Sequence, residues 1–243
     1  MVLQDIFDQL TYGELHQLFV GGSETEDGIR EEDKPRLIAH IQLGLTALHK
    51  RFLLKEKRLT INLQDLRNTY VLKDIYSLHN AESNELIKFI DDQEDPLKND
   101  LLKIERVVDD LGNAYTLNDA GDEFTIRTPA YNVLYVPDFD TLEPECQPTK
   151  LHVTYRADHP KIDKTLGQYV SFQTEIELPA THLEPLLYFV ASRIMNPVGA
   201  SGEFHEGNNY AAKYEQACQQ LEMHGFSLNT QASRDQFERN GWR

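Results

Sequence analysis

Residues 37–52 read Leu37-Ile38-Ala39-His40-Ile41-Gln42-Leu43-Gly44-Leu45-Thr46-Ala47-Leu48-His49-Lys50-Arg51-Phe52, and a few residues later comes Leu59-Thr60-Ile61-Asn62-Leu63. The two stretches obey different periods. In the first, Leu37, Ile38, Ile41, Leu45, Leu48 and Phe52 fall on one stripe while His40, Gln42, Thr46 and Lys50 turn away, which predicts an amphipathic helix. Pro35 sits where a first-turn proline is tolerated. In the second, apolar and polar residues alternate, which predicts a half-buried strand. A helix that gives way to a strand within so few residues argues for an α+β protein whose elements are segregated along the chain.

The same change of texture recurs further out. Upstream, Leu3, Ile6, Phe7 and Leu10 keep helical spacing, and Thr11 with Glu14 matches a capping box for a further run through Leu15, Leu18 and Phe19, stopped by Gly21-Gly22. Downstream, strands are predicted at residues 70–78, 103–108, 124–127, 133–136 and 151–155, with residues 103–108 and 114–117 forming a hairpin across Asp109-Asp110-Leu111-Gly112-Asn113. Nine of the ten prolines lie from Pro96 to Pro197, which suits short antiparallel strands with long connections. Helical spacing returns after Glu175. Thr181, three residues before Glu184, reads as a cap for a helix through Leu186, Leu187, Phe189, Val190 and Ile194. A last helix, about residues 203–224, would bury Phe204, Ala211, Tyr214, Ala217, Cys218 and Leu221 and stop at Gly225. The expected organisation is a helical core from residues 1–58 and 176–225, a β-rich domain at 59–175 inserted between them, and an extended tail at 226–243.

With 243 residues, 40% hydrophobic and 26% charged, the chain can bury a sizeable core. No apolar run approaches the roughly 20 residues of a membrane span, and Asp5 and Asp8 argue against a secretory leader. Cys146 and Cys218 lie in dissimilar surroundings and suggest no disulfide framework, which suits synthesis in a reducing cytoplasm. The formal charge of −16 is the wrong sign for a protein that grips nucleic acid. It fits ordinary solubility first, and after that a surface that lets DNA pass.

Catalytic constellations are not legible. Phe204-His205-Glu206-Gly207 begins like a zinc-protease helix, but Asn209 stands where the second histidine is required. Gly199 and Gly202 precede a helix without the Gly-Lys-Ser/Thr of a phosphate loop. Cys218 reads as core, and Cys146 lacks the cationic surroundings of a reactive thiolate. Residues 82–110 hold ten acids against four bases. There, and at Asp91-Asp92 and Asp109-Asp110, a solvated face is the expectation. No catalytic residue, metal or cofactor is expected.

Lys50, Arg51, Lys55, Lys57 and Arg58 cluster where the first long helix ends. They complement its dipole or serve as subunit contacts. Near the other end of the sequence, Phe237, Arg239, Asn240, Gly241, Trp242 and Arg243 place aromatic and arginine anchors on a tail too polar to fold alone.

Ile176-Glu177-Leu178-Pro179-Ala180-Thr181-His182-Leu183-Glu184-Pro185-Leu186-Leu187-Tyr188-Phe189-Val190-Ala191-Ser192-Arg193 resembles a segment of bacteriophage head-to-tail adaptor proteins. There, a Leu-Pro leads into a Leu-x-x-Tyr/Phe-x-Ala-x-Arg helix, followed by a glycine-rich break and a second helix. Asn208, Ala212, Tyr214, Ala217 and Leu221 approximate that second helix. Residues 128–136 and 151–155 resemble the family's β segment, although this chain is longer than the smaller adaptors. The resemblance implies a virion protein at the head–tail junction and a homo-oligomeric ring, commonly a dodecamer. The ring would dock beneath the portal protein, contact tail proteins, and surround a channel that DNA traverses without sequence-specific binding. It further implies that the tail bearing Phe237 to Arg243 binds the portal. The alternatives are another virion ring component (a tail-tube or stopper protein) or a carboxylate-dependent hydrolase.

Overall fold

The computed structural model describes residues 1–13, 34–139, 141–162, 173–195 and 204–225. The protein is α+β: four helices and two antiparallel sheets occur among the described residues. The chain folds as two compact units, Met1–Leu54 with His159–Arg243, and Lys55–Asp158.

The helical unit is assembled from apolar stripes. Helix α1 (Leu3–Tyr12) buries Leu3, Ile6, Phe7 and Leu10, and the Asp5 carboxylate accepts the Val2 N–H at its start. Helix α2 (Lys34–Arg51) buries Leu37, Ile38, Ile41, Leu45 and Leu48, with Phe52 buried just beyond it. Helix α3 (Leu183–Ile194) contributes Leu186, Leu187, Val190 and Ala191, and helix α4 (Phe204–Met223) contributes Cys218, with Tyr210, Tyr214 and Leu221 packed alongside. Each fully buried Leu, Ile or Phe stabilises the unit by about 1.5–3 kcal/mol relative to exposure. Helices α2 and α3 approach closely at Gly44, where a Cβ would meet Leu186 Cδ1 at 2.6 Å and Phe189 Cδ1 at 3.0 Å. Any larger residue at this position would require the Leu186 and Phe189 side chains to move.

The unit's boundaries differ from the expected 58/59 and 175/176. Strand pairing starts before the alternation becomes visible, because Glu56 already faces Arg156. On the return, Ile162 already belongs to the helical core, and Leu3 N–H donates to Thr174 O at 2.9 Å.

The β unit holds a five-stranded sheet in the order β3-β1-β8-β4-β5 and a three-stranded sheet in the order β2-β7-β6. The strands are β1 (Glu56–Asn62), β2 (Thr69–Val71), β3 (Ile90–Asp91), β4 (Leu101–Asp109), β5 (Ala114–Tyr115), β6 (Arg127–Ala130), β7 (Val133–Tyr135) and β8 (Lys150–Ala157). In the larger sheet, Leu59 and Ile61, Val153 and Tyr155, and Ile104 and Val107 point into one core with Tyr70, Phe89, Ile126 and Leu134. Register shifts in β4 leave Leu102 and Glu105 without partners on β8, so the burial period of that strand departs from two. The hairpin β4–β5 pairs Val107 with Tyr115 and Val108 with Ala114, and Gly112 takes the positive φ (91°) that its turn requires.

Several local expectations are corrected. Thr11 is no cap: it lies in the last turn of α1 and its hydroxyl donates to Phe7 O at 2.9 Å. The run through Leu15, Leu18 and Phe19 lies outside the described residues. The strand predicted at 70–78 ends at Val71, and Asp74–Tyr76 forms a 3-10 turn. The strand predicted at 124–127 starts only at Arg127. Helix α2 stops at Arg51, so Lys57 and Arg58 belong to β1. Thr181 makes no capping bond to α3, since Ala180–His182 forms a 3-10 turn and His182 occupies the N-cap position. On α4 Ala211 is exposed. Gly225 follows α4 with φ 79°, a left-handed helix stop.

Candidate interaction surfaces

The five cations near the end of α2 do not form one patch. Lys50 is exposed on α2. Arg51 is spent inside the helical unit: its Nη1 and Nη2 donate to Glu215 at 2.6 and 2.9 Å, and its Nε and Nη2 to Glu222 at 2.6 and 3.2 Å. One planar guanidinium thus ties two carboxylates about two turns apart on α4, a fork geometry that lysine could not reproduce. The hydrogen bonds from Arg51 hold both the Glu215 and Glu222 carboxyls below their ordinary range. Lys55 is half-buried. Lys57 pairs with Asp100 at 2.7 Å and donates to Pro96 O at 3.2 Å. Arg58 is 75% exposed, with Glu56 at 4.0 Å, and its N–H donates to the Asp95 carboxylate at 3.2 Å. The tail residues Phe237, Arg239, Asn240, Gly241, Trp242 and Arg243 lie outside the described residues.

Arg58 belongs to the outward face of the larger sheet. Registers place Arg58, Thr154 and Arg106 side by side on β1, β8 and β4, and Thr60, His152 and Val108 on the next rung. His152 Nδ1 lies 3.0 Å from Thr60 Oγ1. These six residues line an open basin of about 560 Å³. On the other side of the Arg58–Thr154–Arg106 rung, the bulged Glu105 pairs with Arg156 at 2.7 Å and with Lys103 at 3.0 Å.

The expectation that the acids at Asp91-Asp92 and Asp109-Asp110 are merely solvated is overturned for one member of each pair. Asp92 is 5% exposed and accepts from Ser77 Oγ at 2.5 Å and Leu97 N–H at 2.8 Å. Asp109 is 2% exposed and accepts from Leu111 N–H, Asn113 N–H, Asn113 Nδ2 and the Tyr115 hydroxyl at 2.7–3.0 Å. Burial opposes the charge of Asp109, but these donors outweigh it and leave the carboxyl below its ordinary range. Burial, together with the same carboxylate, pushes the Tyr115 hydroxyl well up. Asp110 closes the turn from the other side by accepting from the Thr149 hydroxyl and N–H. These carboxylates hold loops in place. Their lone pairs are occupied by donors of the same unit, and among the described residues no three His, Cys, Asp or Glu side chains are arranged to hold a metal.

A second surface surrounds Arg67, whose guanidinium lies 4.5 Å from the Phe89 ring centroid and 5.7 Å from that of Tyr70. One basin beside it is lined by Arg67, Ile75, Tyr76 and residues 82–87, and another by Arg67 and its neighbours including Leu66. Leu66 and Leu86 are fully exposed, at 101% and 99%, and Ile87 is 52% exposed. Sequence patterning missed this surface because isolated leucines in polar loops carry no period.

It also missed the histidines. His49, His159 and His182 are buried at 0%, 3% and 3% exposure. His159 Nδ1 lies 2.7 Å from Pro160 O, so it carries the proton there, and Nε2 accepts the Glu177 N–H at 3.2 Å; this assigns a neutral ring. The His49 ring packs edge-on against His159, centroids 5.8 Å apart. His182 packs edge-on against Phe52 at 4.8 Å, and burial lowers its pKa below the ordinary value.

No helix among the described residues is long and apolar enough to cross a membrane. No known family and no curated protein matches this chain.

Proposed function

We propose that the chain is a structural virion protein without enzymatic activity, a head-to-tail adaptor that forms a ring beneath the portal and surrounds the channel through which DNA leaves. The observation that carries this reading is the sequence of residues 176–221, where a Leu-Pro lead, two helices and a glycine-bearing break follow the adaptor pattern. The helix pair α3 and α4 suits such a ring. Its inner side is taken up by the shared core, while Tyr188, Tyr210 and Lys213 form an outer stack, with Lys213 Nζ 4.6 Å from the Tyr210 centroid and 5.6 Å from that of Tyr188. The acidic surface of a chain with formal charge −16 also suits passage of DNA without retention.

The test is negative-stain imaging of the purified full chain with and without portal, repeated after deletion of residues 227–243. The reading expects rings on the portal for the full chain and a soluble truncated protein that no longer docks. Undiminished docking by the truncated protein removes the tail assignment. Failure of the full chain to bind portal removes the adaptor.

A further inference from the structure

Helices α2 and α3 run antiparallel. Phe52, just past the end of α2, packs edge-on against His182 at the start of α3, and farther along Gly44 meets Leu186 and Phe189. Each turn toward the start of α2 is therefore a turn toward the end of α3. One turn before Gly44 stands His40, and one turn before that Arg36. One turn beyond Phe189 stands Arg193. Neighbours on such i, i+4 rows are about 6 Å apart along the axis. The Arg193 guanidinium lies over the Phe189 ring, 5.4 Å from its centroid, which keeps it beside the crossing. Arg36, His40 and Arg193 thus gather at one end of the helix pair, with both arginines exposed.

No carboxylate answers this cluster. Helix α2 contains no Asp or Glu. The only acid of α3 is Glu184, more than two turns before Arg193, and it accepts from the Tyr188 hydroxyl at 2.8 Å. Glu215 and Glu222 of α4 are taken by Arg51 at the far end of α2. On α1, Asp5 accepts the Val2 N–H and Asp8 accepts from Gln4 Nε2. Among the described residues neither Arg36 nor Arg193 makes an ion pair. Burial first, then the charges of Arg36 and Arg193, hold the His40 ring below its ordinary value, so it is neutral at pH 7. His40 Nδ1 is enclosed and makes no hydrogen bond. Placing the ring's proton on Nε2 avoids burying an N–H without an acceptor, and leaves Nε2 as a donor. In a chain with formal charge −16, like charges grouped without a carboxylate repel one another, and a bound anion offsets that repulsion.

We propose that Arg36, His40 and Arg193 form a binding site for a phosphate oxyanion. Two guanidinium groups and an imidazole, drawn from two helices, suit a tetrahedral group with several acceptor oxygens, whereas one arginine fork already satisfies a planar carboxylate. Free inorganic phosphate and a phosphodiester of nucleic acid share this chemistry, and the test separates them. The site lies wholly within the helical unit and does not depend on the adaptor reading.

The test titrates the full chain with inorganic phosphate, with a short DNA duplex and with acetate, and follows the His40 ring by NMR. Phosphate should move the His40 resonances and raise the ring's pKa, because an adjacent anion favours the protonated form. Arg36→Ala with Arg193→Ala should weaken phosphate binding about tenfold or more while circular dichroism stays that of wild type. Arg36→Lys with Arg193→Lys, which keeps the charge and loses the forks, should fall between. A response to phosphate alone identifies the free ion as the ligand; a duplex that moves the same resonances identifies the phosphodiester. An equal response to acetate, or binding undiminished in the alanine protein, overturns the proposal. So does a silent wild type. Glu31-Glu32-Asp33 precede α2 in the sequence, and a response that emerges only after Glu31→Gln, Glu32→Gln and Asp33→Asn would make the chain's own carboxylates the occupant instead.

Discussion

Among the described residues, the helical unit buries three histidines, His49, His159 and His182, in an otherwise apolar core, whereas the β unit buries Asp92 and Asp109 and surrounds each with donors. The contrast follows from backbone accounting. Helices satisfy their own amides, so the helical unit can rely on apolar stripes, and its buried rings pack edge-on, His49 against His159 and His182 against Phe52. Strands of two or three residues, such as β2, β3 and β5, leave many loop N–H groups without ladder partners. Short acidic side chains supply the missing acceptors. Part of the chain's large acidic content is therefore structural.

The comparison can be broken by mutation. Phe52→Ala removes a fully buried ring from the helical core and should destabilise that unit by about 3–5 kcal/mol. Calorimetry should show the loss confined to one transition, and an equal loss in both transitions would mean that the two units unfold as one. Asp109→Ala leaves the donors of Leu111, Asn113 and Tyr115 without their acceptor. The expected cost is about 1–3 kcal/mol, with faster amide exchange at Leu111 and Asn113 and none of this at α2.

Acidification should separate the units without mutation. The folded pKa of His182 lies below its ordinary 6.5, so the unfolded chain binds the proton more readily. The stability tied to this residue is present above pH 6.5 and is lost as pH falls from there toward the folded pKa. A proton on His159 Nε2 would also remove the acceptor of the Glu177 N–H. Asp109 and Asp110 lie below their ordinary 3.8, so their contribution persists until pH falls past that value. A melting profile against pH should therefore show the helical unit weakening first. Simultaneous loss would contradict the histidine assignment.

The smallest expected effect is at Arg51. Its carboxylate partners are 51% and 39% exposed, so Arg51→Ala should cost about 1 kcal/mol or less, and less still at high salt. A salt-independent loss would mean that the aliphatic stem, and not the charge, holds α4.

The α2 stripe, the alternation at Leu59 to Leu63 and the turn at residues 109–113 were legible because each is a local pattern: a period of 3.6, a period of two, and a glycine with a required φ. The sheet order was not, since Ile90-Asp91 becomes a strand only because β1 lies beside it. Tyr70 begins a run that looks extended through Leu78, yet Asp74 turns it into a 3-10 segment. Of the residues read as contacts, Arg51 and Lys57 proved to be engaged within their own units, which no spacing rule foretells. Arg58 and Arg106 share a face only because β8 runs between them.

Local periodicity and side-chain stereochemistry thus indicated, from sequence alone, the helical segments, the strands around residues 59–63, 103–108, 133–136 and 151–155, and many of the residues that seek the interior. Tertiary structure decided the rest: which histidines lose water, which carboxylates become loop anchors, and which cations remain free to meet another surface. The physical reason is that burial and pairing depend on neighbours distant in sequence, and a charge acquires its role only when the groups around it are in place.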